Sequence, residues 1–323
     1  MALLEIRDLK TYFKITRGQV KAVDGVSFNI EHGQSFGLVG ESGCGKTTTA
    51  LSAIKLLPEN GIIASGKVIF DGRDITDLPD EKLYDFRWAE MSMIFQGAMN
   101  ALNPVKRVSD QIAEALYIHD KTMNKEKAEA RVRELFELVE ISPRLMYGYP
   151  HEFSGGMRQR AIIAMALACN PKMIIGDEPT TALDVMVQAQ IIDLINSLRE
   201  KLGMSLLMIT HDLSIITEIC DRIGVMYAGK IVEMGDTSQV VKHRLHPYTE
   251  KLIGAFPNIY KGRRMVDSIP GDPPDLFTPP PGCRFADRCH KCLGEICHTV
   301  EPPLIDYDGH GHFVACHLRK GEA

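Results

Sequence analysis

Apolar and polar residues alternate from Leu3 to Leu9 and from Val26 to Ile30, and each stretch is followed by polar residues or glycine. A period of two predicts two strands. Ser35–Gly40 is a short apolar run of the buried-strand kind that ends in a glycine-rich turn. Thr47–Leu57 then reads as a helix, stopped by Pro58. Ser65–Phe70, followed by Asp71-Gly72, predicts a hairpin edge. Residues 80–150 read as largely helical, with Ala130, Val132, Leu135, Leu138 and Val139 at helical spacing within Lys125–Glu140. A helix over Gly156–Cys169, a buried strand at Met173–Asp177, an amphipathic helix over Val185–Lys201 and a buried strand at Ser205–Thr210 follow. Strands alternating with helices imply a mainly parallel sheet covered on both faces, with a ligand at the carboxyl ends of its strands. Pro270–Pro281 holds six prolines and reads as a stiff, extended linker to the last segment.

The 323 residues are enough for about two domains. The net charge of −5 argues against nucleic acid as a partner, because binding to a phosphate backbone needs clustered positive charge. No apolar run approaches the ~18 residues that span a bilayer. The first ten residues carry Glu5, Arg7 and Asp8 rather than a secretory apolar core. The expectation is therefore a soluble, cytoplasmic chain. Five of eight cysteines fall at Cys283, Cys289, Cys292, Cys297 and Cys316, a cluster that in such a chain reads as metal binding before disulfides.

Gly40-Glu41-Ser42-Gly43-Cys44-Gly45-Lys46-Thr47 fits G-x-x-x-x-G-K-[ST], with a strand before it and a helix after it. Such a loop turns backbone N–H groups inward as an anion nest at a helix N-terminus. Lys46 offers a point charge to the β- and γ-phosphates, and the Thr47 hydroxyl can ligate Mg²⁺. Met173–Asp177 delivers Asp177 and Glu178 at the end of an apolar strand. Asp177 is suited to hold Mg²⁺, and Glu178 to polarise an attacking water.

Between these lies Phe153-Ser154-Gly155-Gly156-Met157-Arg158-Gln159-Arg160, which resembles the signature motif of ABC transporter ATPase subunits. Gln96 after Met91–Phe95, Ala182-Leu183-Asp184 and His211 after Leu207–Thr210 resemble that family's Q-loop, D-loop and switch histidine. The resemblance implies an α/β fold: a RecA-like P-loop ATPase core with an antiparallel β subdomain and a helical subdomain at about 97–160. It places the ATPase domain at 1–238 and an extension at 239–323. Two subunits would sandwich two ATP molecules, each held by Gly40–Thr48 of one chain, Thr48 included, and by Ser154, Gly155 and Gly156 of the other. Glu178, His211, Lys46 and Gln96 would be catalytic, and Thr47, Gln96 and Asp177 would hold Mg²⁺. Adenine would stack on Phe13 or Tyr12, with Phe13 favoured by its spacing from Leu9. Gly97-Ala98 replaces the proline usual after the glutamine, which implies a more flexible loop.

His246-Pro247-Tyr248-Thr249, Ile269–Pro274, Gly282-Cys283-x-Phe285-x-x-Arg288-Cys289 and Val314–His317 resemble the C-terminal extension of oligopeptide/dipeptide importer ATPases. Some members with this pattern hold a [4Fe–4S] cluster. Cys283, Cys289, Cys297 and Cys316 would ligate it, with Cys292 a possible substitute for Cys297. Zn²⁺ is the rival, since Cys₄ or Cys₃His sets suit it and His290, His298 and His317 lie close in sequence. The cluster would staple a small Cys-rich module or sense redox state, and the staple is the plainer role. The implied partners are two transmembrane permease subunits, a second ATPase (a related chain or another copy) and, indirectly, an extracytoplasmic solute-binding protein. The chain would then sit on the inner face of the membrane. Peptides rank ahead of oligosaccharides or nickel complexes as cargo. A non-transport ABC ATPase of DNA repair is disfavoured, because the 57 residues between Gln96 and Ser154 leave no room for a long coiled coil.

Overall fold

The computed structural model describes residues 2–97, 101–254 and 269–319. In chain order its elements are β1 (Ala2–Ile15), β2 (Gly18–Glu31), β3 (Ser35–Val39), α1 (Lys46–Ala53), β4 (Gly61–Phe70), β5 (Arg73–Asp74), α2 (Asp80–Phe86), β6 (Met91–Ile94), α3 (Val108–His119), α4 (Lys125–Leu138), α5 (Gly155–Ala166), β7 (Met173–Asp177), α6 (Val185–Leu202), β8 (Ser205–Ile209), α7 (Leu213–Ile219), β9 (Arg222–Tyr227), β10 (Lys230–Asp236), α8 (Thr237–His243), α9 (Pro247–Gly254), α10 (Glu295–Thr299), β11 (Ile305–Asp306) and β12 (Phe313–Val314). They divide into two compact units. One comprises 31–34 and 77–208, the other 2–30, 35–76 and the chain from 209 onward.

In the unit that holds the glycine-rich loop, β2, β1, β4 and β5 form one sheet in that order. β1 runs well beyond the predicted Leu3–Leu9, because β4 pairs with it antiparallel from Leu4↔Phe70 to Phe13↔Gly61. The ladder shifts register around Lys10. Asp8 there has φ +44°, and a Cβ on the facing Gly66 would lie 2.3 Å from the Asp8 carbonyl oxygen. An unpaired residue, a positive φ and a facing glycine together make a bulge. A second run of strands in this unit has the order β11-β12-β10-β9-β3. β3 lies parallel to β9, all five of its residues are buried, and Phe36 stacks on Phe28 at 4.7 Å. Full burial on both faces is what an unbroken apolar strand predicts.

In the other unit β6 pairs parallel with β7, in register from Met91↔Met173 to Ile94↔Gly176, and β8 is the next neighbour of β7. Residues 80–150 are therefore not helical throughout; the Met91–Ile94 run is a buried strand. α4 buries Ala128, Val132, Leu135 and Phe136. Ala130, expected on that face, is exposed, because the buried stripe starts two residues earlier. Phe136 meets Phe153 edge-on at 6.5 Å, and Arg131 donates to the carbonyls of Leu167 and Ala168 at the end of α5.

Pro270–Pro281 has no helix or strand, in keeping with an extended segment. It is nevertheless held: Lys21 N–H donates to Leu276 O at 2.9 Å, and the Phe277 ring covers Gly18, where a Cβ would sit 2.7 Å from it. The chain end is stitched to β10, since Glu233 and Met234 pair with Val314 and Phe313. The buried Glu233 carboxylate accepts from Leu245 N–H and His246 N–H, both at 2.8 Å, and lies 2.8 Å from His312 Nε2. No described helix is long and apolar enough to cross a membrane.

Candidate functional site

The glycine-rich loop is built by close backbone approach. A Cβ on Gly40 (φ +153°) would lie 2.1 Å from Met226 O, and one on Gly45 (φ +106°) 2.3 Å from Ala22 O. Side chains are excluded at both positions, and only glycine lets the backbone of the loop pack this closely. Gly43, at φ +78°, has open space around it. Lys46 is nearly buried at the start of α1, and its ammonium donates to Gly40 O (2.7 Å) and Glu41 O (3.0 Å). It therefore stands over the cradle, on weak acceptors that an anion can replace. Burial pushes the Cys44 thiol up against the pull of Lys46, which suits a packing residue within the loop. Ser42 and Thr47 are exposed and Thr48 half-buried. In the same unit His211 is exposed, one residue before Asp212, whose side chain accepts Ser214 N–H at the start of α7.

The two aromatic candidates, Tyr12 and Phe13, differ in their surroundings. Tyr12 donates to Asp24 Oδ1 at 2.7 Å. Burial and the Asp24 partner push its phenol up to about 12. Phe13, on the opposite face of the strand, has no polar group to satisfy and lies beside Gly61.

The carboxylates belong to the other unit. Asp177 ends β7 and is buried. Glu178 follows in a left-handed conformation, φ +47°, with Ala182 also left-handed at +68°. Non-glycine residues held there cost energy, and such strain gathers at functional sites. The Glu178 carboxylate accepts from Gln96 Nε2 (2.8 Å) and Thr181 Oγ1 (3.1 Å). Gln96 thus reaches Glu178 directly. Ser154 caps α5, accepting Met157 N–H at 3.3 Å, and Asp184 caps α6, accepting Val187 N–H at 3.0 Å. A Cβ on Gly156 would lie 2.9 Å from Val187, so bare backbone is what lets the two helix starts meet. Ser154, Gly155, Gly156, Ala182 and Asp184 line one open cavity of about 370 Å³. The expected loop flexibility rests on Gly97-Ala98; Gly97 has φ +67°, and Ala98 lies outside the described residues.

The cysteine expectation fares differently. Among the described residues no group of three or more His, Cys, Asp or Glu is arranged to hold a metal ion. Cys297 is buried and the other four of the cluster are half-buried; burial pushes the Cys283 thiol up to about 12 and also raises Cys289, Cys297 and Cys316. Cys283 feels Cys316, Cys289 and Cys297, whereas Cys292 turns toward His298 Nε2 at 3.7 Å. His290 faces Glu250, and His317 Nε2 lies 2.8 Å from Val300 O.

Sequence reasoning missed how the loop is held. Tyr248 Oη accepts Glu41 N–H at 2.9 Å, and Arg288 pairs with the Glu41 carboxylate through two bonds, 2.7 and 2.9 Å. Arg284 pairs with Asp24 and donates to Ala228 O. The only signal was two arginines among the cysteines, and nothing local says where they reach.

Residues 23–181 match the ABC transporter family, and residues 232–297 match the oligopeptide/dipeptide transporter C-terminal region. The chain is 44% identical to the oligopeptide transport ATP-binding protein OppD of Bacillus subtilis, over 99% of this chain and 90% of that one. It is 44% identical to OppD of Escherichia coli, over 98% and 93%. Its fold is similar to that of the dimeric bacterial ABC transporter cassette MJ0796, with TM-score 0.65 and 27% identity over 72% of this chain and 98% of that one.

Proposed function

We propose that this chain, which belongs to the ABC transporter family and carries the C-terminal region of its oligopeptide/dipeptide transporters, hydrolyses ATP to power import of peptides through a membrane channel. The observation that supports the reading is the glycine-rich loop, packed too closely for side chains at Gly40 and Gly45, with the Lys46 ammonium held at its carbonyls. In this reading the cradle and Lys46 take the phosphates, and Thr47, Gln96 and Asp177 would hold Mg²⁺. That ion would supply neutralisation of charge on the transferred phosphoryl group. Glu178 takes the proton of the attacking water, oriented by Gln96 and Thr181. His211 contacts the γ-phosphate, and Phe13 stacks on adenine. The cavity at Ser154, Gly155 and Gly156 meets the ATP of a second ATPase subunit. Two permease subunits bind the pair at the cytoplasmic face of the membrane, and a solute-binding protein delivers the cargo. Peptide is preferred to oligosaccharide or nickel complex, because the similar proteins are described as oligopeptide and dipeptide transport proteins.

We also propose that Cys283, Cys289, Cys297 and Cys316 ligate a [4Fe–4S] cluster, with Zn²⁺ as the alternative. The donor chemistry fits: Phe285, Lys291 and Leu318 each give a backbone N–H to the sulfur two residues earlier, and Leu293 N–H reaches Cys297 Sγ at 3.4 Å. Such bonds stabilise thiolate charge.

The test is Glu178→Gln. Expressed in cells with its permease, the variant should bind ATP with unchanged affinity, hydrolyse it about 10²–10⁴-fold more slowly and stop uptake of labelled dipeptide. Wild-type turnover overturns the role of Glu178. Normal hydrolysis in the native chain without dipeptide uptake overturns the cargo.

A further inference from the structure

The phosphate loop carries a carboxylate of its own. Glu41 is the first residue after Gly40, in a cradle made for anions, and an uncompensated negative charge there opposes the ligand. The structure deals with this charge from far along the chain. The Arg288 guanidinium lies against Glu41 with two nearly parallel bonds, Nη1 to Oε2 at 2.7 Å and Nη2 to Oε1 at 2.9 Å. Its side chain is only 7% exposed and Glu41 26%. Tyr227 Oη accepts a further bond from Nη1 (3.0 Å), and Pro270 O accepts from Nε (2.8 Å). With its donors so placed, the guanidinium is fixed in orientation. The Glu41 N–H is meanwhile turned to Tyr248 Oη rather than into the cradle. Tyr248, Tyr227 and Phe285 pack ring against ring, at 4.6 to 5.3 Å, and support this contact from below.

The seven residues Cys283–Cys289 hold a second anchor. Arg284, 5% exposed, pairs with Asp24, which also accepts the Tyr12 hydroxyl next to Phe13. One short segment thus grips the phosphate end and the adenine end of the proposed nucleotide site. We propose that Arg288 is a positioning residue for ATP: it cancels the charge of Glu41 and holds the loop in its cradle shape, so that the C-terminal extension contributes directly to nucleotide affinity. This rests on the reading of the loop as an ATP site. It requires no metal in the cysteine cluster.

Binding of a fluorescent ATP analogue to the purified full-length chain tests it. Arg288→Ala should weaken binding about tenfold, within the usual range of coupling between sites. Arg288→Lys, a point charge without the fork, should fall between that variant and the native chain. The discriminating variant is Glu41→Gln combined with Arg288→Ala. Removing the carboxylate that Arg288 neutralises should restore affinity to within about threefold of the native chain, a recovery that simple loss of packing does not give. If Arg288→Ala does not fold, Arg288→Gln carries the same comparison. Native affinity in the single variant, or a double variant as weak as the single, overturns the inference. Lys46→Ala separates the two readings. If it binds the analogue normally, the ATP site itself is wrong. If it loses binding while Arg288→Ala keeps it, only the role of Arg288 falls.

Discussion

His246 is kept neutral by its surroundings. It is 1% exposed, its Nδ1 accepts Tyr248 N–H at 3.0 Å, and its Nε2 has no hydrogen-bond partner among the described residues. Burial pulls its pKa down to about 4, with Glu233 pulling the other way. The unfolded chain takes up its proton near pH 6.5, so the unfolded state binds more protons between about 4 and 6.5. Stability from this residue is complete above that window and is lost as pH falls through it, by about 2 kcal/mol at pH 5. Thermal melts at pH 7.5 and pH 5 should show a larger drop for the native chain than for His246→Asn; equal drops would discard this account. His246 also marks what a sequence conceals. Lys46, Asp177 and Glu178 are legible because their chemistry is packed into eight- and seven-residue motifs. The partners of Glu41 lie 207 and 247 positions away, and no local pattern announces them.

At the scale of elements, periodicity located β3, β7, β8 and α6, whose patterns are long or wholly apolar. It failed at Met91–Ile94, where four residues are too few to stand out from flanking helices, although their pairing with β7 buries them. In α4 the spacing was right and the stripe was misplaced at its first residue, since alanine reads the same on either face of a helix end. The cysteine-bearing segment from Cys283 to Cys316 has little regular structure: a 3-10 turn at Ala286–Arg288, a five-residue helix and two short strand pieces. An element this short gains order from cross-links or from what it leans on. Purified without oxygen, the chain should show a broad band near ~400 nm and about four irons per chain. A colourless protein with about one zinc would replace the cluster with the alternative ion, and a protein with neither would leave the segment held by its arginines and aromatic rings alone.

For the whole molecule the decisive contacts tie the residues after 238 back to the strands before them. Glu233 is fully buried and takes its donors from Leu245, His246 and His312. A chain cut after residue 238 keeps the carboxylate and loses all three. Breaking a buried polar pair from one side costs about 3–5 kcal/mol. The truncated protein should melt roughly 10 °C or more below the full chain, or fail to stay in solution. An unchanged melting temperature would show that the cassette stands without its extension. The Asp24–Arg284 pair has a bearing on time. A ribosome adds roughly 5–20 residues per second, and Arg284 follows Asp24 by 260 positions, so about 13 to 52 s separate their synthesis. For that interval the nascent first strands carry a carboxylate whose counter-charge does not yet exist. The β1–β2 sheet can reach its final form only once residue 284 has been made, while the intervening stretch from 77 to 208 is free to close on itself on the way.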